Sequence, residues 1–116
     1  MEIRTLQPEG QMQVQTNTDR NITGNEGLAA QASALVEGVL ARFSDQITRV
    51  EIHLSDENGA RGGDEDKRCM MEARLEGRQP IAVTHQAATV EQAMDGAAHK
   101  LRQSIESTLG RLRDIQ

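Results

Sequence analysis

Four basic side chains near the end of the chain could bind a polyanion. In the stretch 97–113 the basic residues are Lys100, Arg102, Arg111 and Arg113. Glu106 is the one acidic residue among them, although the whole chain has 18 acidic and 13 basic residues and a net charge of −5. Structured RNA is recognised through its phosphates and shape by basic side chains on helices and loops. The alternative is that these cations only complement a helix dipole and solvate an outer helix face.

Catalytic motifs are absent from the sequence. It has no Gly-x-Ser-x-Gly elbow, no phosphate-binding loop and no dinucleotide fingerprint. Ser44 and Asp45 could be combined with a distant histidine only by arbitrary choice. We therefore predict that the chain is not an enzyme and has no small-molecule substrate and no cofactor.

Metal binding has two weak candidate sites. The acidic segment 56–66 has carboxylate and amide oxygens that suit calcium or magnesium, but its spacing lacks the glycine-then-glutamate ending of the helix-loop-helix calcium loop. A solvated hairpin loop is the simpler interpretation. Cys69, His53 and His85 could act as soft ligands, yet strand alternation predicts that Cys69 points inward and His53 outward. We expect no metal site and interpret Cys69 as a small core residue.

The basic cluster needs an element to position it, and the sequence predicts a helix from Thr89 to Arg113. Thr89 and Gln92 have the spacing of a capping box at the start of a helix. Apolar residues then recur in steps of three and four, namely Val90, Met94, Ala97, Leu101, Ile105, Thr108 and Leu112. This spacing predicts one buried stripe and leaves the cations on the outside.

The preceding part of the chain has the pattern of four strands and another helix. A strand is predicted over 11–16, followed by a helix that Thr23 or Asn25 could cap. The predicted buried stripe of that helix is Leu28, Ala32, Leu35, Val39 and Phe43. Alternating apolar residues predict three further strands, at 50–55, 68–75 and 81–85, with a mobile hairpin loop at 56–66 and a turn at 77–79.

The element order β-α-β-β-β-α predicts an α+β fold of two layers, with a four-stranded sheet and two helices on one of its faces. A chain of 116 residues is expected to form one domain, which we place at 11–114, with 1–10 as an N-terminal extension that could be flexible. No apolar run reaches the roughly 20 residues of a membrane span. We expect no secretory signal, and a single cysteine fits a reducing cytoplasm. The oligomeric state stays open.

This collinear set of elements resembles the ribosome hibernation promoting factor family, also called ribosome-associated translation inhibitors or ribosomal subunit interface proteins. The resemblance extends from 12 to 114 and rests on the element order and two motifs. These are RVEIHL at 49–54, after the helix that ends in Phe43, and AMD at 93–95 followed by KL at 100–101. The similarity is to short family members, which lack a dimerising tail, so we expect ribosome pairing to require another factor.

The resemblance implies a fold similar to double-stranded-RNA-binding domains and binding to ribosomal RNA on the small ribosomal subunit. Family members occupy the region used by messenger and transfer RNA, block initiation, and promote storage of inactive ribosomes during stress or stationary phase. Lys100, Arg111 and Arg113 hold positions where the family has cations, whereas Arg102 is displaced by one residue. In the first helix, where family members have several basic residues, this chain has only Arg42. We expect these five residues to bind RNA.

In a second hypothesis the protein has the same fold but binds a basic partner instead of the ribosome. The acidic balance of the chain and the acidic loop 56–66 are also compatible with a protein-interaction module of weak RNA affinity. Such a module would bind a basic partner through this loop.

Overall fold

The computed structural model describes residues 12–19, 22, 26–57 and 66–115, with the side chains of Glu26 and of 111–115 excepted. The elements are β1 (Gln13–Thr18), α1 (Glu26–Val39), a 3-10 turn (Ala41–Phe43), β2 (Ile47–Asp56), β3 (Lys67–Leu75), β4 (Ile81–Ala87) and α2 (Val90–Ile115). The strands form one sheet in the order β1-β2-β3-β4, with β1 parallel to β2 and the other pairs antiparallel. The predicted two-layer α+β fold is confirmed.

An aliphatic core lies between the sheet and the helices. Register aligns the inward residues of β2 and β3, so that Val50 faces Ala73, Ile52 faces Met71 and Leu54 faces Cys69. All six are buried. The predicted stripe of α2 is confirmed at its centre, where Met94, Ala97, Leu101 and Ile105 are buried. Ala93 and Ala98 are also buried, because α2 packs against both β3 and β4 and so presents a wider face than one stripe.

The first helix is shorter than predicted. It ends at Val39, and Phe43 lies in the 3-10 turn, where its N–H donates to the Leu40 carbonyl at 2.9 Å. The fully buried residues of this segment are Ala32, Val36 and Leu40, whereas Leu35 is only partly buried. Apolar residues at 35, 36, 39 and 40 make a face too wide for sequence spacing to fix its centre. The predicted cap residues 23 and 25 lie outside the described residues.

The hairpin loop between β2 and β3 differs from the prediction at both of its ends. Asp56 belongs to β2 and pairs in register with Lys67, the first residue of β3. The Lys67 ammonium lies 2.8 Å from Oδ1 of Asp66 and 3.5 Å from Oδ2 of Asp56. Asp66 has a side chain that is only 1% exposed. The prediction of a solvated acidic loop is therefore wrong for Asp56 and Asp66, because Lys67 offsets the cost of burying their charge.

This ion cluster changes the acidity of its members. The hydrogen bond from Lys67 lowers the pKa of Asp66 below its ordinary value, against the opposing effect of burial. The same hydrogen bond raises the pKa of Lys67. Both groups are thus held in their charged forms, and the base of the hairpin is fixed by charge pairing. Positions 58–65 lie outside the described residues.

Helix α2 begins and ends close to its predicted limits. The Thr89 hydroxyl accepts a hydrogen bond from the Gln92 N–H at 3.1 Å, which confirms Thr89 as the N-terminal cap. The helix continues to Ile115, two residues beyond the prediction.

Gly77 has φ of 71° in the turn between β3 and β4, where glycine is the residue that adopts this conformation without strain. Within the described part of the chain, neither helix is apolar enough over a sufficient length to cross a membrane.

Candidate nucleic-acid interface

Lys100 lies on the flank of α2 that faces β4. Its side chain is exposed, and its ammonium donates a hydrogen bond to the Thr84 carbonyl at 2.9 Å. Since β4 is an edge strand of the sheet, this contact satisfies a backbone group that no neighbouring strand can reach. Lys100 therefore combines a structural contact with an accessible positive charge.

Arg102 lies on a different flank of the same helix. Two residues along an α-helix correspond to a rotation of about 200°, which turns Arg102 away from β4. Its Nε donates to Oε2 of Glu106 at 3.3 Å, one helical turn further on. Arg42, in the 3-10 turn after α1, places its Nη1 3.8 Å from the same carboxylate oxygen. The fold thus brings Arg42 and Arg102 together.

We call Arg42, Arg102 and Glu106 the arginine patch. Their side chains are 65%, 40% and 41% exposed, so the patch is open to a ligand. The Arg42 guanidinium also lies over the ring of Phe43, 5.4 Å from its centroid. Because Phe43 is buried, this contact links the exposed Arg42 side chain to the core. The patch joins two elements into one cationic surface.

The remaining two predicted residues, Arg111 and Arg113, are placed only by their backbone. Both belong to α2, and their side chains lie outside the described part of the structure. Their role in RNA binding stays a prediction.

The open face of the sheet holds charged residues that were not predicted as site residues, among them Arg49 and Glu51. The Arg49 guanidinium lies 3.0 Å from Oε2 of Glu51 and also hydrogen-bonds Gln15. Nε2 of His53 lies 3.4 Å from the other oxygen of Glu51. Period-two alternation along β2 would have placed Arg49 beside Glu51 on this face. Glu51 therefore offsets the charge of Arg49 locally, as Glu106 does for the two arginines of the arginine patch.

The sequence analysis did not predict that Glu106 pairs with the two arginines of this candidate interface. Its spacing from Arg102 is the i, i+4 spacing of helical ion pairs, and this signal was available in the sequence. Its approach to Arg42 could not be predicted, because positions 42 and 106 are 64 residues apart in the chain.

Among the soft-ligand candidates, His53 is separated from Cys69 as alternation predicts. Cys69 pairs in register with His85, whereas His53 pairs with Met70 and lies on the opposite face. Burial raises the pKa of the Cys69 thiol to about 12, so the thiol is protonated and behaves as a core side chain. In the described ranges, no group of three or more His, Cys, Asp or Glu side chains could hold a metal ion.

Residues 16–113 match the protein family described as sigma 54 modulation protein / S30EA ribosomal protein. The chain belongs to this family. The resemblance to the hibernation factors and ribosomal subunit interface proteins is therefore confirmed. The S30EA family is non-enzymatic, in agreement with the prediction that the chain is not an enzyme. None of the curated proteins matches the sequence.

Two solved structures show the same fold. The Protein Y N-terminal domain of Thermus thermophilus is 15% identical and has a TM-score of 0.65, covering 84% of this chain and 98% of its own. A ribosomal subunit interface protein from Coxiella burnetii is 18% identical and has a TM-score of 0.65, covering 85% of this chain and 99% of its own. At these identities the similarity establishes the fold alone. Candidate binding residues therefore have to be identified from the structure of this chain.

Proposed function

We propose that this S30EA family protein binds ribosomal RNA on the small ribosomal subunit and inhibits translation as a cytoplasmic hibernation factor. The observation that carries the proposal is the family match over residues 16–113. One of the structural relatives is itself described as a ribosomal subunit interface protein. Storage of inactive ribosomes during stress or stationary phase is the biological role that this function implies.

The proposed contact surface is the part of α2 from Lys100 onward together with the 3-10 turn. Lys100 and Arg102 supply exposed cations on two flanks of the helix, and Arg42 adds a third from a separate element. We include Arg111 and Arg113 from the continuation of the helix. Several cations on one rigid helix can contact successive phosphates without ordering a loop, which favours an RNA ligand.

Sedimentation of lysate through a sucrose gradient tests this proposal. The protein should migrate with small subunits or whole ribosomes in stationary-phase lysate at low salt. Lys100→Glu combined with Arg102→Glu should move it to the top of the gradient, because each reversed charge replaces attraction to phosphate with repulsion. Circular dichroism should be recorded in parallel, since Lys100 also contacts the β4 backbone.

A matched control reverses two arginines away from this surface. Arg74 and Arg78 are exposed on β3 and just after it, so Arg74→Glu with Arg78→Glu makes the same change in net charge. This control should still sediment with ribosomes. Release of both double variants would show attraction by overall charge alone, and wild-type protein found only at the top of the gradient would refute the proposed function.

Asp56 and Asp66 give no support to the alternative of a protein-interaction module, whereas Glu57 of the same loop is exposed. Asp56 and Asp66 are buried and paired with Lys67, so they do not offer free negative charge to a basic partner. The remaining acidic residues of the loop would have to carry that interaction.

A further inference from the structure

The arginine patch already contains an anion. A single oxygen of Glu106 lies 3.3 Å from Nε of Arg102 and 3.8 Å from Nη1 of Arg42. Two guanidinium groups that converge on one anionic oxygen form the arrangement by which arginines bind phosphate. We propose that Glu106 lowers the affinity of this protein for RNA, because its carboxylate occupies a position between Arg42 and Arg102 where a phosphate would otherwise bind. This inference rests on the proposed function.

The ion pairs are weak enough for a phosphate to replace them. All three side chains are at least 40% exposed, and exposed pairs of this kind contribute little to stability because water screens them. A phosphodiester that enters the patch gains two arginine contacts, while the displaced carboxylate is hydrated.

Glu106 also explains how the patch favours a polyanion. An intramolecular carboxylate competes at a high effective concentration with any incoming anion. An RNA strand can overcome this competition because it contacts Lys100 and other cations of α2 at the same time. The partner that fits the patch is therefore a chain of phosphates.

Replacing Glu106 with glutamine isolates this effect. The substitution keeps the size of the side chain and removes a negative charge that would lie within several ångströms of the bound phosphate. At the surface of a protein such a repulsion corresponds to roughly 3- to 10-fold in affinity. Freeing Arg42 and Arg102 should also increase the number of phosphates neutralised, and each additional one steepens the plot of log affinity against log salt concentration by about 0.7 to 0.9.

The matched control is Glu91→Gln, which makes the same charge change in the first turn of α2. Position 91 precedes position 106 by 15 residues, which corresponds to about 22 Å along a helix. This exceeds the Debye length of about 8–10 Å at moderate salt. Glu91→Gln should therefore leave RNA affinity within about 2-fold of wild type by the same screening argument.

Fluorescence anisotropy with an RNA hairpin of about 16 base pairs, over a series of salt concentrations, provides the measurement. Tighter binding and a steeper salt dependence for Glu106→Gln, with Glu91→Gln unchanged, would support the inference. Equal or weaker binding by Glu106→Gln, an equal gain in Glu91→Gln, or no binding by any variant would overturn it.

Binding of the same proteins to purified small subunits separates this inference from the proposed function. Wild-type protein that binds subunits, together with no gain for Glu106→Gln on the hairpin, would overturn the role of Glu106 alone. Wild-type protein that does not bind subunits would refute the proposed function. A gain for Glu106→Gln on the hairpin would still support the phosphate position in the arginine patch.

Discussion

Replacing Gly96 of α2 with alanine should destabilise the domain. A Cβ atom at this position would lie 2.1 Å from Cδ2, 2.3 Å from Nε2 and 2.6 Å from Cγ of His85. Because Cγ lies on the χ2 axis, rotating the ring cannot remove the clash, so the imidazole must change χ1 or β4 must move. Overpacking costs about 1–3 kcal/mol, and the helix propensity of alanine returns about 1 kcal/mol. We expect a net loss of about 1 kcal/mol in the free energy of unfolding.

A double-mutant cycle with His85→Ala tests the cause. Without the imidazole ring, Gly96→Ala should instead raise the free energy of unfolding by up to about 1 kcal/mol. Gly110, in the same helix, has nothing within 4 Å of a Cβ position, so Gly110→Ala should stabilise the protein in both backgrounds. Urea unfolding followed by circular dichroism measures each variant. An equal effect of Gly96→Ala in both backgrounds would refute the steric explanation.

Three further predictions concern a helix cap, an ion pair and a thiol. Thr89→Ala removes the hydroxyl that accepts the Gln92 N–H and should lower the free energy of unfolding by about 1 kcal/mol in the same urea assay. Lys67 lowers the pKa of Asp66, so this carboxylate stabilises the fold above its ordinary pKa and loses that contribution as pH falls through its lowered pKa. Stability measured between about pH 5 and pH 2 should therefore fall more steeply in wild type than in Asp66→Asn. Burial and a pKa of about 12 should leave Cys69 almost unreactive to iodoacetamide at neutral pH until urea unfolds the chain, with labelling read by mass spectrometry.

The fold was predictable where the sequence keeps a strict period. The alternation of Val50, Ile52 and Leu54 in β2 corresponds to one buried face, and the helical stripe from Met94 to Ile105 is buried as predicted. Both patterns are local and depend on backbone geometry alone. They were sufficient to identify the elements, their order and the two layers.

The limits of the elements were less predictable because they depend on distant contacts. Asp56 and Asp66 are of a residue type that is common in exposed loops. They are nevertheless buried, because Lys67 pairs with both. The α-helix likewise ends at Val39, and the ring of Phe43 is buried from a 3-10 turn instead. Local propensity carries no information about either contact.

The candidate site was predictable as a cluster of cations but not as a geometry. The excess of basic residues late in the chain marks α2, and helical periodicity separates Lys100 from Arg102. The meeting of Arg42 with Glu106 depends on the packing of α1 against α2. No spacing in the sequence encodes that contact.

Site-specific photo-crosslinking tests the central claim most directly. Gln103 is exposed on α2 among the proposed RNA-binding residues, and a photoreactive amino acid there should crosslink to ribosomal RNA of purified small subunits. The same amino acid at Arg74, which is exposed on β3, serves as the control and should crosslink far less. A crosslink from position 103 to ribosomal RNA is the predicted result. Crosslinks only to protein, or equal RNA crosslinking from both positions, would contradict the account.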